Sequence, residues 1–233
     1  MIKPIFALIL LLFSIAGCSS EKKAEMEIMS DISFSYLALG DSYTIGQGVG
    51  EAERYPVQLR DSLQKSGIKA DSLLIIARTG WTTDELSHGI DVTEIHPPYD
   101  LVTLLIGVNN QYRGRDIEIY RDEFVELLNR AIGFAGNNRG RVVVLSIPDW
   151  GVTPFAAGRD REKIALEIDA FNDVNRQESE NAGVAWLDVT EISRLAADRP
   201  ELLAPDGLHP SGIMYRMWVD ELYPIVWKIL TEN

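Results

Sequence analysis

Residues 35–46 read SYLALGDSYTIG, and this stretch carries the two signals that decide the fold. Ser35–Leu39 is a short, mostly apolar run of the kind that forms a strand covered on both faces. Gly40, Asp41 and Ser42 follow that run directly. Because functional loops lie at the carboxyl ends of parallel strands, this loop is the first place to look for chemistry.

Short apolar runs recur along the chain and alternate with amphipathic stretches. The other predicted strands are Leu73–Ala77, Leu101–Ile106, Arg141–Ile147 and Val184–Leu187. The predicted helices cover residues 117–135, 160–180 and 211–230, and Pro224 is expected to kink or interrupt the last one. This alternation predicts an α/β protein, specifically a three-layer α/β/α sandwich with a mainly parallel five-stranded sheet, a flavodoxin-like arrangement.

Composition limits the classes of function. The chain has 233 residues, of which 46% are hydrophobic, and a net charge of −13. This length fits one domain with a sizeable core, predicted here over residues 31–233. The acidic excess repels phosphate backbones, so no nucleic-acid partner is expected. One cysteine permits neither an intrachain disulfide nor a cysteine zinc cluster.

The N-terminus has a composition of its own. Residues 1–17 read MIKPIFALILLLFSIAG, with Lys3 as the one charged side chain. The apolar run at 5–13 is shorter than the about 20 residues that a membrane-spanning helix needs. Its layout is that of a secretory signal, and Cys18 follows it directly.

This junction resembles the lipobox of bacterial lipoproteins, whose cysteine is acylated. The resemblance implies that residues 1–17 are a removable signal peptide and that residues 18–30 are a lipidated Cys18 with a polar tether. Ser19 differs from the aspartate that retains lipoproteins at the inner membrane. The expected location is therefore the bacterial cell envelope, with the periplasmic side of the outer membrane favoured. The alternative is that Cys18 stands by chance beside an ordinary cleavage site.

The loops after the strands hold the parts of an acyl-transfer site. Ser42 is a candidate nucleophile, and a serine hydroxyl needs an adjacent base. His209 can be that base, and Asp206, three residues earlier, can accept the other ring N–H. The backbone N–H groups of Ser42 and Gly80 and the side-chain amide of Asn109 are candidate donors to an oxyanion.

These blocks resemble the SGNH (GDSL-type) hydrolase family. The four residues that give the family its name match Ser42 in GDSYTIG, Gly80 in ARTGW, Asn109 in GVNN and His209 in DGLHPS, in order, between about residues 35 and 220. The resemblance implies a serine esterase that works through an acyl-enzyme without a cofactor. It also implies a small ester substrate such as a lysophospholipid, an acyl thioester or an acetylated glycan. Asn110 replaces a frequent aspartate, which leaves the pairing at that position open.

The sequence also permits or excludes several other functions. A catalytically idle envelope lipoprotein that binds cell-wall glycan is the alternative, although a binding protein has no need of an aligned base. The glycines at 46–50 lack the third glycine of a dinucleotide-binding loop, because Glu51 takes its place. No G-x-S-x-G elbow of an α/β-hydrolase occurs. His88 and His96 lack the spacing of a zinc pair, so no metal is expected.

Aromatic and cationic residues near the strand ends are candidates for contacts with substrate. Four aromatic residues are candidates either to line a cleft or to pack at the rim of the sheet: Trp81, Tyr112, Trp150 and Phe155. Three arginines could contact a carboxylate or phosphate, or stay solvated: Arg78, Arg113 and Arg115. Membrane contact is expected only through the lipid on Cys18.

Overall fold

Five parallel strands form the centre of the fold in the computed structural model, which describes residues 32–232. They are β1 (Ser33–Gly40), β2 (Lys69–Ala77), β3 (Leu101–Leu105), β4 (Val142–Leu145) and β5 (Ala185–Leu187). The strand order is β2-β1-β3-β4-β5, and every pairing is parallel. The predicted parallel sheet is confirmed. The predicted signal peptide, Cys18 and the tether through residue 30 lie outside the described residues.

Helices connect the strands and cover the sheet. They are α1 (Ser42–Ile45), α2 (Tyr55–Lys65), α3 (Thr83–Asp91), α4 (Val108–Tyr112), α5 (Ile117–Phe134), α6 (Arg161–Ala182), α7 (Thr190–Arg194) and α8 (Gly212–Thr231). Short 3-10 turns occur at Glu51–Glu53, Arg139–Arg141, Trp150–Val152, Pro154–Ala156, Leu195–Ala197 and Pro200–Leu202.

The strand order explains the layers. The chain moves from β1 outward to β2, then returns past β1 to β3, β4 and β5. Because parallel crossovers are right-handed, connections that run in opposite directions place their helices on opposite faces. Accordingly, α2 packs against α8, whereas α5 packs against both α3 and α6. The predicted three-layer α/β/α sandwich is confirmed.

Burial differs between the central and the edge strands. All residues of β3 and β4 are buried, as is most of β1, because helices cover them on both faces. The edge strands β2 and β5 are mostly half-buried or exposed, so the expected coverage on both faces applies only to the centre. β2 also starts four residues before its predicted apolar run, because Lys69 pairs with Ser33 of β1.

Helix α8 continues through Pro224, so of the two predicted effects, a kink or an interruption, the interruption is wrong. Proline removes one N–H donor from the helix, and burial on both sides of it compensates for that loss. Trp218 and Leu222 before it and Val226 after it are fully buried. Within residues 32–232, no helix is both long enough and apolar enough to cross a membrane.

The reversal of strand order lies between β1 and β3. These strands are neighbours, but the chain leaves them toward opposite sides of the sheet. The loops at their carboxyl ends therefore separate and open a crevice, which is where α/β sheets bind ligands. Ser42 follows β1 and Asn109 follows β3, so the fold itself brings two of the predicted site residues to this crevice.

Candidate active site

The loop that carries Ser42 is fixed by close backbone packing. A Cβ on Gly40 would lie 2.1 Å from Thr44 Oγ1 and 2.5 Å from the Leu105 carbonyl oxygen, so only glycine lets β1 approach β3 here. Asp41 caps α1, its Oδ1 accepting from Tyr43 N at 2.9 Å. Ser42 begins this short helix and is only 5% exposed. The nucleophile candidate is thus held at the mouth of the crevice.

Asp41 is fully buried and only partly satisfied. Its Oδ2 has no hydrogen-bond partner among the described residues. Burial raises the pKa of Asp41 from 3.8 to about 7, although the backbone N–H groups of Tyr43 and of Asp41 itself oppose that rise. A carboxyl group whose protonation state changes near neutral pH therefore lies directly beside Ser42.

Asp206 and His209 share one tightly closed loop. Leu203 and Pro210 form an antiparallel bridge, and Ala204 N donates to the His209 carbonyl at 2.7 Å. Asp206 Oδ2 lies 2.8 Å from His209 Nδ1. An ionised carboxylate is an acceptor only, so Nδ1 donates and leaves Nε2 as a base.

The second oxygen of Asp206 is also held. Oδ1 accepts from the backbone N–H groups of Leu208 and His209, each at 3.0 Å. Partial burial by itself raises the pKa of Asp206. The hydrogen bonds from the His209 backbone, the His209 ring and the Leu208 backbone outweigh burial, and the net pKa is lowered. Asp206 is therefore ionised at neutral pH and can stabilise a protonated imidazole.

Packing links this loop to the loop of Ser42. The ring of Tyr43 lies against the His209 ring, with centroids 5.4 Å apart. From α8, Tyr215 Oη donates to the Tyr43 carbonyl at 2.9 Å. Ser42 and His209 line the same cleft. Sequence reasoning did not single out Tyr43, although its position next to Ser42 was a usable signal.

The candidate oxyanion donors converge on the same cleft. Gly80 has a φ of +85°, a conformation that favours glycine, and its backbone N–H has no acceptor among the residues that the structure describes. Across residues 32–232, the backbone N–H of Ser42 likewise has no acceptor. Asn109 Nδ2 donates to the Trp81 carbonyl at 2.9 Å, which fixes the plane of its amide. All three residues border the cleft.

Asn110 has a clear structural partner. Its Oδ1 accepts from Thr83 N at 3.1 Å, and its Nδ2 donates to Thr83 Oγ1 at 2.6 Å. Thr83 Oγ1 in turn donates to Glu123. The buried amide therefore joins α4 to the start of α3. Thr83 is thus the partner of Asn110, the residue that replaces the frequent aspartate.

The cleft is small and mostly aromatic along one wall. It encloses about 160 Å³, and its wall includes Tyr112, Trp150 and Phe155. Trp150 is held by its Nε1, which donates to Gln111 Oε1 at 2.8 Å. Trp81 lies outside the cleft lining, because its ring packs against Gly89 of α3. Sequence reasoning also missed three further lining residues: Thr79, Val108 and Leu208.

Two of the three candidate arginines are paired within the protein. Arg115 Nη1 lies 2.7 Å from Asp84, and Arg113 Nη2 lies 3.3 Å from Glu85 and donates to the Gly80 carbonyl at 2.6 Å. Their charges are thus matched by carboxylates of α3. Arg78 is exposed. The pairs fix the rim of the cleft beside Gly80 and leave Arg113 and Arg115 little free charge for a substrate.

The other two histidines lie away from this cleft. His88 is exposed in the last turn of α3, and His96 Nε2 lies 3.5 Å from Glu94. No group of three or more His, Cys, Asp or Glu side chains in the described part of the chain is placed to hold a metal ion together.

Comparison with known proteins agrees with this geometry. Residues 38–217 match the model of the GDSL-like lipase/acylhydrolase family. The structure is similar to that of TesA (TM-score 0.65, 16% identity, 84% of this chain and 99% of that chain). It is also similar to the esterase EstA from Pseudoalteromonas sp. (TM-score 0.64, 18% identity, 85% and 99%). A third similar structure is the acetylxylan esterase Axe2 from Geobacillus stearothermophilus (TM-score 0.63, 18% identity, 85% and 96%).

Comparison with curated protein sequences finds no match. The similar structures are all less than 25% identical and show a shared fold. The family model, in contrast, covers well over half of the 233 residues and spans every block from the first strand to the histidine loop. The chain therefore belongs to the GDSL-like lipase/acylhydrolase (SGNH) family and is a hydrolase that acts on ester bonds.

Proposed function

We propose that the protein hydrolyses esters of short acyl groups through a covalent acyl-enzyme on Ser42. The observation that carries this proposal is the hydrogen bond between Asp206 and His209, whose ring lines one small cleft together with Ser42. The backbone N–H groups of Ser42 and Gly80, which have no acceptor among residues 32–232, belong to the same cleft. A hydroxyl, a base, a group that orients the base and donors for an oxyanion are the parts that acyl transfer requires.

The proton path follows from the orientation of the imidazole. Asp206 holds the proton on Nδ1, so His209 Nε2 accepts the Ser42 proton as Oγ attacks the ester carbonyl. The tetrahedral oxyanion is stabilised by the N–H groups of Ser42 and Gly80 and by the Asn109 amide. His209 then protonates the leaving alcohol, and water repeats the sequence on the acyl-enzyme.

The size of the cleft favours a short acyl group. Its 160 Å³ is well below the roughly 300–1,000 Å³ of pockets for drug-sized ligands. Aromatic rings close one wall, and Leu208 lies beside His209. Acetyl and other short acyl esters fit this space, and the acetylxylan esterase among the similar structures makes acetylated glycans a natural class to test.

Two measurements test the proposal. A fluorophosphonate probe is expected to label the wild type but not the Ser42→Ala variant. The control is Ser72→Ala, which changes an exposed serine on the edge strand β2 and is expected to keep full labelling. A panel of p-nitrophenyl esters from two to sixteen carbons, with acetylated glycans and lysophospholipid, is expected to give the highest kcat/KM at two to four carbons. Labelling that survives in Ser42→Ala, or no turnover by folded protein, refutes the mechanism.

We also propose that Cys18 anchors the enzyme to a bacterial envelope membrane. The support is the sequence itself, in which the apolar run is followed by Ile15 and the small residues Ala16 and Gly17 directly before the one cysteine. Globomycin, which blocks lipoprotein signal processing, is expected to cause accumulation of the precursor. Cys18→Ala is expected to release the protein from the membrane fraction, and membrane association that persists in this variant contradicts the proposal.

A further inference from the structure

Arg159 is set against the aromatic wall of the cleft. Its guanidinium carbon lies 5.1 Å from the ring centroid of Tyr112, 5.3 Å from that of Trp150 and 5.9 Å from that of Phe155. Its Nη2 also donates to Tyr112 Oη at 3.1 Å. The three rings are those that line the cleft beside Ser42 and His209. A cation is thus held by rings and a hydroxyl against the aromatic wall of the cleft, and Arg159 itself is exposed and is not one of the residues that line the cleft.

The charge of Arg159 is not neutralised within the described part of the chain. No carboxylate there lies within ion-pair distance of it, whereas Arg113 and Arg115 pair with Glu85 and Asp84. The whole chain has 35 Asp and Glu residues against 22 Lys and Arg residues. A negatively charged protein repels anions at long range, so an unpaired cation at the cleft gives an anion a local reason to bind there.

The donor groups are also available. A guanidinium has five N–H donors in a planar fork, and Arg159 uses one of them on Tyr112. Because Tyr112 Oη accepts that bond, its own proton remains to be donated. The contacts with three rings and the hydrogen bond to Tyr112 restrict the guanidinium before any ligand arrives, and a guanidinium fork matches the two oxygens of a carboxylate or phosphate.

We propose that Arg159, with Tyr112 Oη, selects esters that carry a carboxylate or phosphate close to the ester bond. This inference rests on the proposed hydrolysis at Ser42 and adds the class of substrate. The aromatic wall is connected to both sides of the site. Tyr112 is on α4 together with Asn109, and Phe155 N donates to the carbonyl of Gly207, in the His209 loop, at 3.3 Å. The anion therefore belongs to either the acyl or the alcohol portion, and the test separates these sources.

Two matched pairs of esters supply the test. Mono-4-nitrophenyl glutarate and 4-nitrophenyl butyrate differ in an acyl-side carboxylate, and 4-acetoxybenzoate and its methyl ester differ in an alcohol-side carboxylate. The readout is the ratio of kcat/KM for the charged ester to that for the neutral ester. In Arg159→Gln this ratio is expected to fall about tenfold or more in one pair, the scale of a charge-assisted hydrogen bond. The neutral esters are expected to change less than about twofold.

The control is Arg176→Gln. Arg176 also lies over an aromatic ring, 6.0 Å from the centroid of Trp186, but it is on α6 away from the cleft. Its substitution is expected to leave both ratios unchanged. Salt provides a second readout, because raising the ionic strength is expected to lower the charged-to-neutral ratio of the wild type more than that of Arg159→Gln.

Each outcome decides the inference. If Arg159→Gln also lowers turnover of the neutral esters, Arg159→Lys serves as the second variant, because lysine keeps the charge but lacks the planar fork. The charged-to-neutral ratio of kcat/KM is expected to fall about threefold in Arg159→Lys. Ratios unchanged in both variants overturn the selection of anionic esters but leave ester hydrolysis standing. No turnover of any of the four esters by the folded wild type overturns the proposed function together with this inference.

Discussion

Asp41→Asn tests the energetic cost of burying a carboxyl group beside Ser42, the proposed nucleophile. In the folded protein the pKa of Asp41 is about 7, compared with 3.8 for an unperturbed aspartate. Between roughly pH 4 and pH 7 the native state therefore keeps a proton that the unfolded chain has already released. Stability falls as pH rises wherever the native state binds more protons, so this group destabilises the protein progressively across that window.

The magnitude follows from the two pKa values. At about 1.4 kcal/mol per pH unit, a rise from 3.8 to about 7 corresponds to about 4 kcal/mol of stability lost between pH 4 and pH 8. Asparagine keeps the acceptor for Tyr43 N but has no proton to release. The variant is therefore expected to lose less stability than the wild type over this range. The side-chain amide NH₂ of asparagine has no acceptor at this position, and burying it lowers stability by an amount that does not depend on pH.

Urea denaturation between pH 4 and pH 8 measures this difference. The free energy of unfolding of the wild type minus that of Asp41→Asn is expected to decrease by about 4 kcal/mol across the range. Asp122→Asn, at an exposed position on α5, removes one negative charge without burial and is expected to give a flat difference. A flat difference for Asp41→Asn as well refutes the reasoning.

Three other substitutions address the site. Asp206→Asn is expected to lower kcat by about a thousandfold or more with little change in KM, because it favours the wrong tautomer of the catalytic imidazole; unchanged kcat in steady-state assays contradicts this role. Gly80→Ala is expected to cost about 1–2 kcal/mol in urea denaturation, because alanine is strained at a φ of +85°, and an unchanged midpoint argues against that. Thr83→Val keeps the backbone bond to Asn110 Oδ1 but removes the acceptor of the buried Asn110 Nδ2, so a loss of about 1–3 kcal/mol is expected by the same measurement, and Ser87→Ala on the same helix serves for comparison.

The sequence was informative where the local pattern is strong. Apolar runs rich in valine and leucine predicted the strands to within one or two residues at most ends, because central strands must be apolar on both faces. Helix α2 (Tyr55–Lys65) was missed, because the charged Arg60 and Asp61 interrupt the apolar residues in its sequence that pack toward α8. The start of β2 was missed because pairing with β1, and not its own polar sequence, makes it a strand.

The sequence indicated candidate residues for the site but not their contacts. Motif spacing indicated Ser42 and His209, which the structure brings to one cleft. The pairing of Asn110 with Thr83 joins residues 27 positions apart, and the contact of Arg159 with Tyr112 joins residues 47 apart. Such contacts depend on how loops from different strands pack at the crevice, which no single segment of sequence encodes.

The closed loop that holds Asp206 and His209 makes the proposed base and its carboxylate a self-contained module. The bridge between Leu203 and Pro210 and the hydrogen bonds inside the loop fix the tautomer over a span of eight residues. Sequence changes that displace the surrounding helices are therefore expected to move this loop as a unit. Its distance from Ser42 changes, but the hydrogen bond between Asp206 and His209 stays intact. Divergence within such a fold can tune reach toward new substrates without rebuilding the proton-transfer machinery.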